Sequence, residues 1–112
     1  MESTRQKKIS RLLQKELGSI FQKKTAEFGG KIITVTTVRI SPDLSIAKVY
    51  LSIYPRKKEG DETLNNIRYQ TSRIRNELGK IVRRQLRIIP ELNFFEDDSL
   101  DYINNIDNLL NT

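Results

Sequence analysis

Residues 80–98 read KIVRRQLRIIPELNFFEDD, and the order of residue types along this stretch sets the architecture around it. Lys80, Arg83, Arg84 and Arg87 load cations onto a segment whose apolar positions, Ile81 and Val82, keep a helical period. Pro90 cannot continue a helix and pushes the residue before it out of the α region, so the helix must stop before it. Leu92, Phe94 and Phe95 then form a short apolar strand, and the charge flips at Glu96, Asp97 and Asp98. A cation-loaded helix that ends in a turn and a buried strand describes a surface for polyanions attached to a rigid core.

Moving towards the N-terminus, Leu64, Ile67, Thr71, Ile74, Leu78, Ile81 and Val82 hold the helical period from about Asp61, a suitable N-cap, to about residue 87. Gly79 interrupts this run. An interior glycine costs about 1 kcal/mol relative to alanine, which predicts a helix kinked there or split in two. Before it, Ala47, Val49, Leu51 and Ile53 alternate with Lys48, Tyr50, Ser52 and Tyr54, giving a strand with one apolar and one polar-aromatic face. Pro55 ends that strand, and Arg56–Gly60 reads as a charged loop. Residues Ile32–Ile40 are dense in β-branched side chains, but their alternation slips at Thr36 and Thr37. That predicts a bulge, or a strand covered on both faces. Ser41-Pro42-Asp43 is turn chemistry and makes the two strands antiparallel partners.

The first helix is marked by Ile9, Leu12, Leu13, Leu17, Ile20 and Phe21 on one stripe. Ser3 and Gln6 have capping-box spacing, which starts it near residue 4, and Phe28-Gly29-Gly30 ends it. Beyond the third strand, Asp97 or Asp98 caps a last helix with Leu100, Ile103, Ile106 and Leu110 on one side. The predicted order is α-β-β-α-α-β-α, an α+β domain spanning residues 1–112, with a core at about 5–96 and an acidic helix at about 98–110.

The net charge of +6 conceals an asymmetry. Residues 91–112 hold six acids and no base, so residues 1–90 carry all 20 bases against eight acids, a charge of +12. Such a body attracts phosphate-rich partners in a salt-dependent way. The chain has no cysteine and no histidine, which excludes disulfides, thiolate and imidazole metal sites, and Cys- or His-based nucleophilic catalysis. Adjacent acids such as Asp97 and Asp98 read as caps more readily than as Mg²⁺ ligands. No cofactor, metal or small-molecule substrate is expected. No apolar run approaches a membrane span, and the opening MESTRQKK lacks the apolar stretch of a secretory signal, so a cytoplasmic location is expected.

If the second helical region is continuous, Arg73, Lys80, Arg84 and Arg87 fall within about 60° of one another, on an arc roughly 130° from the apolar residues. Only Glu77 interrupts the seven bases from Arg68 to Arg87. Arg and Lys are good helix formers and collect on exposed faces, but a face serving solubility normally mixes signs. The pattern therefore favours a phosphate-binding ridge of Arg73, Lys80, Arg83, Arg84 and Arg87, with Arg75, Lys7, Lys8 and Arg11 as extensions. Lys8 and Arg11, with Lys15, also fit a plain solvated face of the first helix. Gly79 is read as a point of close phosphate approach or as a simple kink. Tyr50 and Tyr54 offer stacking surfaces for bases, or a face on which a helix packs. Phe94 and Phe95 point to opposite sides of their strand, one into the core and the other under the last helix.

Three blocks carry a family likeness: Ser41-Pro42-Asp43-Leu44-Ser45-Ile46-Ala47-Lys48-Val49-Tyr50, Ile74-Arg75-Asn76-Glu77-Leu78-Gly79, and Leu86-Arg87-Ile88-Ile89-Pro90-Glu91-Leu92-Asn93-Phe94-Phe95 followed by Asp97-Asp98-Ser99. With them the chain resembles the bacterial ribosome-binding factor A proteins from about Arg5 to Leu110. The resemblance implies a type II KH-like fold (α-β-β-α-α-β), with an extra C-terminal helix here and a three-stranded sheet packed by helices on one face. It implies a kinked helix pair in place of the usual glycine loop, and no Gly-x-x-Gly occurs in this sequence. The family's kink is typically an Ala-x-Gly, whereas the matching Thr71-Ser72-Arg73 has neither residue. The resemblance further implies a monomer that binds the small (30S) ribosomal subunit and its 16S RNA late in maturation, with a role in processing the RNA 5′ end and in growth in the cold. Two other readings stay open: a general single-stranded RNA or DNA binder on the same fold, and a protein-interaction module using the acidic C-terminal helix.

Overall fold

Ser3 and Gln6 start the first helix as their spacing predicts. In the computed structural model, which describes residues 2–55 and 61–97, the Gln6 N–H donates to Ser3 Oγ (3.1 Å) and the Ser3 N–H donates to Gln6 Oε1 (2.7 Å). Helix α1 follows at Thr4–Lys23. A 3-10 turn at Thr25–Phe28 leads to Gly29 and Gly30 at φ 69° and 77°, left-handed conformations that glycine adopts without steric cost. The expected loop at Arg56–Gly60 and the acidic helix at about 98–110 lie outside the described residues.

Strand β1 (Ile32–Ile40) pairs antiparallel with β2 (Ile46–Tyr54), and the register shifts between Val35 and Thr37. The slipped alternation is thus a bulge at Thr36, and not a strand covered on both faces. Ile33 and Val35 before the bulge and Val38 and Ile40 after it all point into the core. Strand β3 (Glu91–Glu96) joins the other edge of β2 in parallel, Ile46 opposite Glu91 through Leu51 opposite Glu96. Parallel neighbours need a crossover, and helices α2 (Thr63–Tyr69) and α3 (Thr71–Val82) supply it.

One face of the sheet carries the core. Ala47, Val49 and Leu51 are fully buried against Leu13, Leu17 and Phe21 of α1 and Ile74, Leu78 and Val82 of α3. Phe94 meets Phe21 edge to face at 5.8 Å, a favoured aromatic geometry. Phe95 points to the other face and stacks on Tyr50, ring centroids 5.5 Å apart.

The second helical region differs from its expected course in two ways. It breaks at Gln70, between α2 and α3, and not at Gly79, through which α3 runs without interruption. The Thr71 hydroxyl donates to the Arg68 carbonyl (2.7 Å), and the Gln70 N–H divides between Asn66 and Ile67. The break lets α2 bury Ile67 and α3 bury Ile74 on separate axes. It lies immediately before Thr71-Ser72-Arg73, the positions that match the family's kink, and these three residues form the first turn of α3. The helix also stops at Val82, well short of residue 87. The N–H groups of Gln85 and Leu86 both turn back to the Val82 carbonyl, half-burying Leu86 against the core. From there the chain brings Pro90 to the sheet, where the Glu91 N–H reaches the Ser45 carbonyl (2.8 Å).

Candidate nucleic-acid interface

The outer side of α3 is built by exclusion. Ile74, Leu78 and Val82 are fully buried and define the inward arc. Arg73 and Lys80, seven residues apart, lie about 20° from each other on the opposite side, and both are exposed. Arg83, Arg84 and Arg87 are exposed too, but they sit in the turn beyond Val82 and in the segment leading to Pro90. The single-helix ridge of Arg73, Lys80, Arg84 and Arg87 is therefore corrected to two cations on α3 and three on the turn that follows it. The reason is tertiary: the chain must leave the helical path to reach β3.

Arg75 is exposed but committed. Its Nε donates to the Pro90 carbonyl (3.1 Å) and its Nη2 to the Ile89 carbonyl (2.6 Å), which ties the Arg-bearing segment back to α3. Arg68 makes a similar clasp, donating through Nε and Nη2 to the Phe94 carbonyl while its guanidinium lies 6.0 Å from the Phe95 ring. One ring face of Tyr50 is consequently covered by Phe95, whereas Tyr54 is well exposed at the end of β2.

On α1, Lys7, Lys8 and Arg11 are all exposed. Lys8 and Arg87 line one cleft of about 560 Å³, so the fold brings the N-terminal turns of α1 to the segment after α3. Lys7 and Arg11 lie outside that lining. The cleft also includes Arg5, which the sequence reading did not single out, although it lies three residues before Lys8 and so on the same side of α1. A second groove runs between α3 and β3, with Ser72, Asn76 and Gly79 on one wall and Glu91 and Leu92 on the other. Ser72 and Asn76 carry no sequence signal beyond their polarity. A methyl group at Gly79 would meet Ile89 Cγ1 at 3.5 Å, an ordinary contact, so packing does not require glycine there.

Charge compensation is sparse. Every ion pair among the described residues involves Lys24 or Lys31, so none of the nine candidate cations is neutralised by a described acid. Glu77 is held by Lys24 Nζ at 2.8 Å, and Lys31 pairs with Asp61. Asp43 braces the β1–β2 turn: Oδ1 accepts from Ser41 Oγ (2.7 Å), Ser45 Oγ (2.7 Å) and the Ser45 N–H (3.1 Å). The Ser41 and Ser45 hydroxyls lower its pKa to about 2. Among the described residues, no cluster of three potential metal ligands exists and no helix is long and apolar enough to cross a membrane.

An αββααβ domain with a mixed three-stranded sheet, helices on one face, a helix–helix break without Gly-x-x-Gly and a cationic surface free of ion pairs among the described residues is a KH-like domain of the RNA-binding class. The family model described as ribosome-binding factor A matches residues 5–110, and the chain belongs to that family. Ribosome-binding factor A of Cytophaga hutchinsonii is 46% identical over 111 residues, covering 98% of this chain and 83% of the relative. That of Flavobacterium johnsoniae is 48% identical over 112 residues, covering 98% and 85%. The crystal structure of ribosome-binding factor A from Thermus thermophilus superposes with a TM-score of 0.66 at 25% identity, over 81% of this chain and 94% of that one. A homology model of the Thermus factor, fitted into a cryo-EM map of a 30S complex, gives 0.65 at 26% identity, over 80% and 91%.

Proposed function

We propose that this protein is a non-catalytic, cytoplasmic assembly factor that binds the immature small ribosomal subunit as a single-domain monomer. It docks through phosphate contacts from Arg73 and Lys80 on α3 and from Arg83, Arg84 and Arg87 on the following turn. Lys7, Lys8 and Arg11 extend the footprint, and Arg75 holds the turn in place. The finer role is support of 5′-end maturation of the small-subunit RNA. The observation that carries the reading is the cationic surface left unpaired by any described acid, in a chain whose structural neighbour has been placed on a 30S subunit. Contacts of this kind are led by charge and shape, and each phosphate neutralised adds close to one unit to the salt slope.

The test is co-sedimentation with purified small and large ribosomal subunits, with circular dichroism to verify folding of each variant. Binding to the small subunit that weakens with salt and is lost in Arg83→Glu/Arg84→Glu/Arg87→Glu is expected. Equal binding to both subunits would overturn the specific role, and unchanged binding of the folded triple variant would overturn the surface. Depletion in cells is expected to leave small-subunit RNA with an unprocessed 5′ end; normal ends would remove the maturation role.

A further inference from the structure

The cleft between α1, the β1–β2 turn and the segment before β3 is more than a gap in packing. At about 560 Å³ it falls within the size range of ligand sites. Ile9, Leu12, Leu44, Leu86 and Pro90 make an aliphatic floor, and Ile88 at the mouth is 75% exposed. Arg5, Lys8 and Arg87 stand around it. Leu44 contributes to the floor from φ 64°, a left-handed conformation that leucine rarely takes. Asp43 is the single acid of the lining, and its Oδ1 is saturated by Ser41 and Ser45 while Oδ2 has no described partner.

We propose that this cleft captures one unstacked base of the bound RNA and prefers a base bearing an exocyclic amino group. The inference rests on the RNA-binding reading above and deepens it. The aliphatic floor takes the face of the base, and Arg5 and Arg87 provide guanidinium planes for stacking and charge for the flanking phosphates, with Lys8. Asp43 Oδ2, an ionised acceptor, takes a hydrogen bond from the amino group of cytosine, adenine or guanine. Uracil presents only an imino N–H between two carbonyl oxygens, which repel a carboxylate. The same carboxylate disfavours an acidic peptide, the other occupant that a basic rim would suit. Lys8 and Arg87 also belong to the cationic set that draws RNA, so a base is delivered to the mouth with its backbone already engaged.

The experiment is a methyl-NMR titration of the whole protein with six-residue oligo-A, oligo-C and oligo-U RNA at fixed ionic strength. Shifts at Ile9, Leu12, Leu44 and Ile88 are expected, with oligo-A and oligo-C binding several-fold more tightly than oligo-U. Asp43→Asn, whose amide can donate to a uracil carbonyl, is expected to abolish the preference, with oligo-A and oligo-C falling several-fold to the affinity of oligo-U. Leu44→Gly, which suits the backbone and removes part of the floor, is expected to abolish the cleft shifts in a folded protein. Equal affinity for all three oligonucleotides, with shifts confined to α3 and its following turn, would overturn base capture and leave the RNA-binding reading intact. Loss of all RNA binding in Arg83→Glu/Arg84→Glu supports that reading independently; binding unaffected by it would remove both. A glutamate-rich peptide shifting the same methyls more strongly than any RNA would assign the cleft to a protein.

Discussion

Glu77 Oε1 lies 2.8 Å from Lys24 Nζ, which joins the end of α1 to the one acid in the basic run from Arg68 to Arg87. The Lys24 side chain is 9% exposed, whereas Glu77 is 41% exposed. On α3, Glu77 is also placed to reach Arg73 four residues before it and Lys80 three after it. Its pairing with Lys24 keeps it from neutralising either one. A negative charge in the middle of the basic face is thereby used for packing at little cost to the surface potential.

That arrangement predicts a contrast. Glu77→Gln should alter binding to the small subunit by less than about threefold, since its charge is already offset, and should cost at most about 1 kcal/mol of stability by leaving Lys24 with only its longer contact to Glu27, at 3.7 Å. Lys80→Glu should leave stability within about 0.5 kcal/mol and weaken binding tenfold or more. Denaturant midpoints and sedimentation at two salt concentrations separate the two outcomes. Equal binding losses in both variants would contradict the assignment.

Two interior glycines make a stability prediction. A methyl group added at Gly18 in α1 would meet nothing within 4 Å, and one added at Gly79 in α3 would meet only Ile89 Cγ1, at 3.5 Å. Gly18→Ala and Gly79→Ala should each stabilise the fold by about 0.5–1 kcal/mol, through helix propensity and a less free unfolded chain. Thermal midpoints check this. If Gly79→Ala is stabilised yet binds the small subunit less well, the α3–β3 groove is where backbone and phosphate approach closely.

Acid should weaken the domain at identifiable points. The Asp43 pKa is lowered to about 2 by Ser41 and Ser45, and that of Asp61 is lowered chiefly by Lys31 and then by Thr63. A carboxyl whose folded pKa lies below its ordinary value of about 4 favours the folded state above that value. The contribution disappears as the pH falls from about 4 towards the folded pKa. Thermal midpoints should therefore drop below pH 4, with a smaller drop in Asp43→Asn and Asp61→Asn. With no histidine in the chain, no imidazole adds a step near pH 6.5. A transition there would contradict the assignment.

What the sequence discloses and what it conceals divide by range. The capping box at Ser3 and Gln6 and the turn at Ser41–Asp43 rest on contacts a few residues apart, and the bulge at Thr36 shows as a slip in the strand's own alternation, so residue type and spacing reveal them. The break at Gln70 is different, because it depends on where Ile67 and Ile74 find the core. Gly79 looks like the weak point in the sequence, yet α3 passes through it because Leu78 and Val82 on either side are fully buried. The end of α3 at Val82 and the pairing of Glu77 with distant Lys24 likewise follow from tertiary packing. Among the candidate cations, helical phase puts Arg73 and Arg75 about 200° apart, but only the carbonyls of Ile89 and Pro90 show that Arg75 is committed and Arg73 is not.

That last difference yields the most discriminating pair of variants. Arg75 donates to the Ile89 and Pro90 carbonyls and so holds the segment that carries Arg83, Arg84 and Arg87. Arg75→Ala leaves both carbonyls to water and frees the turn, and should cost about 1–2 kcal/mol, as expected for charge-assisted bonds at a partly exposed site. Arg73 has no described partner, so Arg73→Ala should leave stability within about 0.5 kcal/mol. In binding the order changes character. Arg73→Ala should reduce the salt slope by close to one unit, the signature of one lost phosphate contact. Arg75→Lys should restore neither carbonyl bond in full, because an ammonium cannot present two donors in a planar fork. Arg75→Ala should therefore weaken binding through misplacement of Arg83, Arg84 and Arg87, and cooling or a stabilising Gly18→Ala background should recover part of the loss. The Arg73→Ala defect should be indifferent to both. Salt titrations of binding in the two backgrounds decide the matter, and a loss in Arg75→Ala that resists stabilisation would make Arg75 a direct phosphate contact.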